Sequence, residues 1–339
     1  NVCQLPFWSL VVYYSWKIYQ AKEIKFIDCF LVGLFAALGF LSKYLFIYLL
    51  ISIDLLFIYL IFIKKTKKFD FKYLITVEVF IVLLVPHLIW LFNNDFITVY
   101  YGLKRTGLEG SGILDHFKYP IIFLGKQIGI LVPFFFLIYL LVQKIKFKIN
   151  FKDKKLLFLI FVNIFPITLM FVTSVITGSK IRTMWMTPFY LFFGVLFVYF
   201  FQSQINIKKI NSFLYGFLFL FFLSPISYTY DSISKTDKRT DYPGKEIAKF
   251  VETEWIKNFD NKIESVIIVG NEWDGGNLVY HIKSRPKFAL VSEEWKMDPS
   301  FWMNLIGLSK ENIGLIFIGK NIKNCGENIL SIYKVKTHL

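Results

Sequence analysis

The stretch Leu41-Ser42-Lys43-Tyr44 sets a lysine between two hydrophobic runs, residues 26–42 and 44–63. Within these about 38 residues, only Asp28, Lys43 and Asp54 interrupt the apolar pattern with charge. One crossing of a ~30 Å hydrocarbon core takes ~20 residues, so a single continuous span is excluded and the spacing predicts a helical hairpin that turns near Lys43. The residues alone leave two readings of Lys43: a lysine that snorkels to the interface at a helix end, or a cation held there to meet an anion.

The same alternation of apolar runs and short basic loops extends outward from the turn. With 339 residues, 55% of them hydrophobic, and a mean hydropathy of +0.53, the composition is that of a polytopic membrane protein. Runs at residues 2–19, 73–92, 121–142, 156–177, 185–201 and 212–228 bring the expected total to about eight spans. The net charge of +15 sits in lysine-rich loops between those runs, with neither a basic helix nor a fingerprint for nucleic acid. The expected partner is therefore the lipid bilayer, and nucleic acid is not expected. Cys3, Cys29 and Cys325 have no spacing pattern for disulfides or zinc, and His87, His116, His281 and His338 are isolated in sequence, so no metal site or cofactor is expected.

If each run crosses once, the loops at Lys22, residues 64–72, residues 144–155 with their six lysines, and Lys208-Lys209 all fall on one side. An excess of lysine marks that side as cytoplasmic. Lys43, the loop 93–120, the short loop 178–184 and everything after residue 228 then lie outside. Within residues 1–229, seven cations fall toward that outer side against the rule: Lys43, Lys104, Arg105, Lys118, Lys126, Lys180 and Arg182. An anion at the outer membrane face is the simplest reason for them. Arg105 suits bidentate contact with phosphate or carboxylate. Residues 93–105 mix aromatics with terminal cations and read either as a helix lying flat at the interface or as a solvated loop. Trp185 is an interfacial aromatic under either reading. His87, beside Pro86, is a packed histidine at a proline kink or a proton carrier. Asp54 and Glu78, costly in a bilayer, are expected to face the bundle interior.

From residue 230 the composition changes to a polar linker followed by alternating strand and helix signals. Helical spacing at 244–255, strands at 265–270, 288–292, 314–318 and 332–335, and a helix at 275–282 predict a small extracytoplasmic α/β domain. The expected division is a membrane domain over 1–229 and this domain over 230–339. Gly270-Asn271-Glu272-Trp273-Asp274-Gly275-Gly276 departs from the dinucleotide fingerprint and reads as an ordinary strand-to-helix turn.

Several loose motifs taken in order carry a resemblance: LPFW at 5–8, GFLSKY at 39–44, PHLIWLFNNDFITVYYGLKR at 86–105, FLGKQIGILVPFFFL at 123–137 and GSKIRTMWMTPFYL at 178–191. Together they resemble the GT-C glycosyltransferases of the protein O-mannosyltransferase and lipid A aminoarabinose transferase type. The segments GKEIAKFVE and VIIVGNEWDGGNLVYHI resemble the small periplasmic domain carried by many bacterial members. The resemblance implies an enzyme that takes a sugar from a polyprenyl-phosphate carrier and passes it to a glycolipid, polysaccharide or protein at the outer face of the cytoplasmic membrane. It implies a lipid-phosphate role for Lys43, with Tyr44, Lys104, Arg105, Arg182 and Trp185 lining the donor site. Gln4 stands near the position where many relatives carry an Asp. The family's catalytic Asp lies in an outer loop that would precede Asn1, so an N-terminal part is expected to be missing, and the 339-residue chain alone is expected to be inactive. Asp95, Glu109 and Asp115 are not put forward in its place. A membrane transporter or lipid flippase is the competing expectation; it would also use intramembrane charge, but no convincing internal repeat is present.

Overall fold

The structure, a computed structural model, describes residues 2–106, 112–142, 146, 150–235, 241–258, 266–270, 273–290 and 314–318. The chain divides into two compact units, Asn1–Leu223 and Ser224–Leu339. Each is described by itself.

The first unit is helical. It contains α1 (Gln4–Gln20), α2 (Phe26–Ser42), α3 (Ile47–Ile58), α4 (Lys72–Asn93), α5 (Ile97–Arg105), α6 (Asp115–Leu141), α7 (Lys154–Thr177), α8 (Phe193–Phe201) and the start of α9 (Ile210–Ser234). A 3-10 turn at Tyr44–Phe46 leads into α3, a π turn at Tyr59–Ile63 leaves it, and a 3-10 segment Thr183–Tyr190 precedes α8. Every apolar run found in the sequence is helical, but not every one has the length of a span. Among the described residues, five helices are long and apolar enough to cross a membrane, and Thr183–Tyr190 with Phe193–Phe201, bent by 53°, makes a sixth if the pair is one span. The other two runs of the expected eight, α1 and α2, have 17 residues each. At 1.5 Å per residue such a helix reaches only about 26 Å, short of the hydrocarbon thickness.

The turn at Lys43 is present, and the two helices it joins pack chiefly on other helices. α2 packs on α1 and α4, whereas α3 packs on α7. Gly33 makes the α2–α4 crossing close, since a Cβ there would lie 2.6 Å from the Thr76 carbonyl oxygen. Thr76 in turn donates its hydroxyl to the Cys29 carbonyl at 3.0 Å. The main core gathers Trp8, Val11, Cys29, Phe46, Leu49, Leu56, Val162, Met170, Met186 and Phe189.

Asp54 and Glu78 correct the expectation of inward-facing carboxylates, because both are exposed on this unit. α3 turns Leu49, Ser52, Ile53 and Leu56 inward, and the ~100° step per residue leaves Asp54 on the other side. On α4 the buried positions are Leu84 and Leu91, and Glu78 lies off that stripe.

The basic loops also fasten helix ends. Lys67 Nζ donates to the Ile18 and Ala21 carbonyls at 2.7 and 3.1 Å, and Lys72 Nζ to the Ile24 carbonyl at 2.9 Å. These carbonyls belong to the end of α1 and the connection after it, where helix geometry leaves acceptors unfilled. Lys17 meets Asp28 at 2.6 Å, and Asp28 stands in the first turn of α2, where the helix dipole favours negative charge. Asp153 caps α7 by accepting from the Lys155 and Leu156 amides, and Tyr199 donates to its other oxygen at 2.8 Å.

The second unit holds the end of α9, α10 (Gly244–Asn258), β1 (Val266–Gly270), α11 (Asp274–His281), β2 (Lys287–Leu290) and β3 (Gly314–Ile318). The strands form a parallel sheet in the order β2-β1-β3, pairing Ile268 with Phe288 on one side and Ile316 on the other. The apolar run Val266-Ile267-Ile268-Val269 suits the central strand of a parallel sheet. Ile247, Ala248, Ile268, Leu278 and Ile282 are its buried core. The glycines of the strand-to-helix turn are explained by packing: a Cβ on Gly270 would lie 2.7 Å from Ile318 Cγ2, and one on Gly275 would strike the Phe288 ring. The strand expected at 332–335 lies outside the described residues, as do Asn271 and Glu272.

Candidate functional site

Lys43 is fully extended, with φ −170° and ψ 129°, between the last turn of α2 and the 3-10 turn that opens α3. Its amide closes α2 on the Gly39 carbonyl at 3.2 Å. Its carbonyl accepts from the Phe46 amide at 3.0 Å and from the buried Gln4 side-chain amide at 3.2 Å, which ties the start of α1 to the turn. The Phe46 ring fills the space that a side chain on Gly39 would need. Trp8, one turn beyond Gln4 on α1, packs edge-on against Phe46 at 5.4 Å and tilted against Phe189 at 5.1 Å. This aromatic layer fixes the backbone from which the lysine projects.

The Lys43 ammonium stands 5.4 Å from the centroid of the Trp185 ring, within cation–π range. Partial burial pushes its pKa below the ordinary lysine value of 10.5. A cation in this state gains from an anion that replaces its lost hydration.

Tyr44 extends the site to two further elements. Its hydroxyl lies 2.7 Å from His87 Nε2 on α4 and 2.8 Å from Thr98 Oγ1 on α5. The His87 ring stacks on Trp90 at 5.8 Å with an interplanar angle of 13°. α4 and α5 meet at a corner where Asp95 and Phe96 take positive φ angles of 49° and 53°, a region non-glycine residues rarely enter. The Phe96 amide donates back to the Leu91 carbonyl at 3.0 Å, and its ring packs edge-on against Phe92. Of the two readings of residues 93–105, a helix or a solvated loop, α5 is the helix over Ile97–Arg105, and it carries Lys104 and Arg105 near its end. The Arg105 guanidinium stands 5.2 Å from the Tyr101 ring centroid. Just past α5, the Thr106 carbonyl accepts from the Lys180 amide at 2.8 Å.

That bond ties α5 to the loop before the 3-10 segment. Gly178, at φ 65°, ends α7 in the left-handed conformation, and the buried Ser174 hydroxyl holds the Ser179 carbonyl at 2.8 Å. Half-buried Arg182 then starts the segment, and its carbonyl accepts from the Trp185 amide at 3.0 Å.

Direct contacts therefore join Gln4, Lys43 and Trp185, and join Tyr44 to α5. Lys104, Arg105 and Arg182 enter through the elements that carry them. Thr98 was not legible in the sequence: a threonine in an aromatic loop carries no signal of a partner 54 positions away. Among the described residues no three His, Cys, Asp or Glu side chains gather in a way that could hold a metal ion. Of the outer-loop carboxylates, Asp95 is exposed at the corner, Asp115 accepts from the Gly112 amide at 3.0 Å, and Glu109 lies outside the described residues.

Residues 1–90 match the family model of dolichyl-phosphate-mannose-protein mannosyltransferase. The match covers residues 1–90 of 339, and over that stretch the chain is similar to this GT-C type glycosyltransferase family. The matched stretch contains Gln4, Lys43, Tyr44 and His87, and it ends before α5. No curated protein and no solved structure matches the chain. The apolar helices are those of a multi-pass membrane protein, and the similarity over residues 1–90 is to glycosyltransferases.

Proposed function

We propose that the protein transfers a sugar from a polyprenyl-phosphate carrier to a glycolipid, polysaccharide or protein acceptor at the outer face of the cytoplasmic membrane. In this reading the second unit is an extracytoplasmic domain. The observation that carries it is the Lys43 turn: a partly buried ammonium on a backbone pinned by Gln4, Gly39 and Phe46, set against an interfacial tryptophan. A polyprenyl phosphate keeps its tail in lipid and its anionic head at the interface, which is where the loop charges put Lys43.

As the bond between the sugar carbon and the phosphate oxygen breaks, the phosphate leaves with the electron pair and its negative charge grows. Lys43 stabilises that charge, and cations on α5 and the 178–184 loop add to the field. The acceptor oxygen or nitrogen forms the new bond to the sugar carbon and gives its proton to a base.

In the full-length protein, reconstituted in lipid nanodiscs with polyprenyl-phosphate mannose as donor, Lys43→Ala should insert normally and lose transfer. Unchanged turnover overturns the assignment of Lys43. Movement of intact carrier across the bilayer without cleavage would instead favour a flippase.

A further inference from the structure

We propose that His87 is a positioning residue of the lipid-phosphate site, acting through the Tyr44 hydroxyl to latch α5 against the Lys43 turn. The inference rests on the function proposed above and assigns α4 and α5 a part in it.

The Tyr44 oxygen is shared. It has one hydrogen to give, and two partners, His87 Nε2 and Thr98 Oγ1, stand at hydrogen-bond distance from it. If His87 Nε2 accepts, Tyr44 donates to it and takes the Thr98 proton. If Nε2 carries the proton, the chain reverses and Tyr44 donates to Thr98. In both cases all three groups are satisfied, so the chain survives either histidine tautomer. What it needs is a nitrogen at that point, and stacking on Trp90 one residue past Leu88 and Ile89 keeps the imidazole there.

The entrance to α5 explains why a latch is needed. Asp95 and Phe96 both sit in the left-handed region, a conformation that persists only where surrounding contacts impose it. At its far end α5 is tied by the backbone bond between Thr106 and Lys180. Near its start the side-chain tie is Thr98 to Tyr44, adjacent in the chain to Lys43. Loss of the His87 nitrogen leaves the phenol with one partner in place of two and frees its hydroxyl to rotate. Displacement of α5 would then carry Arg105 away from the site.

The test compares His87→Phe, Tyr44→Phe, Thr98→Val, the His87→Phe/Tyr44→Phe double variant and His87→Gln in nanodiscs. Phe preserves the stack on Trp90, and Gln returns a polar atom near the Nε2 position. Hydrogen exchange of the α5 amides reports the latch whatever the chemistry, and steady-state kinetics with polyprenyl-phosphate mannose report its use. Each single removal should raise α5 exchange about tenfold, the scale of one lost hydrogen bond, and raise KM severalfold with kcat held. The double variant should be no worse than Tyr44→Phe alone, since both act on one chain, and His87→Gln should restore protection. Unchanged α5 exchange in the removal variants, or additive effects in the double, overturns the latch. Absence of transfer by the full-length parent protein counts against the proposed function alone, because the exchange data still decide the latch.

Discussion

The Gln4 carboxamide donates to the backbone carbonyl of Lys43 across 39 positions of sequence, at 3.2 Å. One helix start thereby controls the orientation of a peptide unit in another connection. The Gln4 Oε1 atom is buried and accepts no hydrogen bond among the described residues. The amide is therefore held by its nitrogen, and flipping it would set oxygen against oxygen.

Two substitutions at this position should separate packing from polarity. Gln4→Leu removes the donor, but the Lys43 carbonyl keeps its bond from Phe46, so the expected loss is about 0.5–1.5 kcal/mol. Gln4→Glu places a buried carboxylate against a carbonyl and should cost more at neutral pH. Thermal unfolding in nanodiscs gives the order, and a Glu variant more stable than the Leu variant would show that the Lys43 ammonium reaches position 4.

Lys43 predicts a pH dependence of binding. Burial lowers its pKa in the free protein, and a phosphate oxygen beside it restores the charged form. The bound pKa is then the higher of the two, so binding takes up a proton between them. Affinity for polyprenyl phosphate should be level below the free value and fall as pH rises through it. Arginine stays charged throughout, so Lys43→Arg should abolish the alkaline decline in titrations from about pH 7 to about pH 10. An unchanged decline in the arginine variant would assign the titration to another group.

Gly39 predicts a steric failure with a defined cure. A Cβ there would lie 2.5 Å from two ring carbons of Phe46, which is fully buried against Trp8. Gly39→Ala should therefore destabilise by about 1–3 kcal/mol through overpacking. Phe46→Leu in the same chain should recover part of that loss; a double variant no better than the sum of its singles would place the strain elsewhere.

The sequence carried the parts of the fold that depend on local pattern. Runs 26–42 and 44–63 are helical over those residues, and Gly314–Ile318 is a strand as read. It did not carry which helices pack together: an apolar run looks the same whether it meets a neighbour or lipid, so α3 pairing with α7 and the outward face of Asp54 were invisible. At the site, Lys43 was visible because a charge in an apolar run is costly. Its links to Gln4 and Thr98 were not, because hydrogen bonds between distant polar residues leave no periodic trace.

The lysines of residues 64–72 answer to two demands at once. As loop charges they carry the orientation signal expected from the sequence, while Lys67 and Lys72 also fill carbonyls at the end of α1 and beyond it. A neutralising substitution there perturbs both properties together, so an inverted insertion and a frayed α1 would arrive as one phenotype. Moving a lysine by one place within the block would keep the net charge and break the reach to Ile18. The block is thus a charge count that tolerates shuffling only where its side chains have no carbonyl to meet.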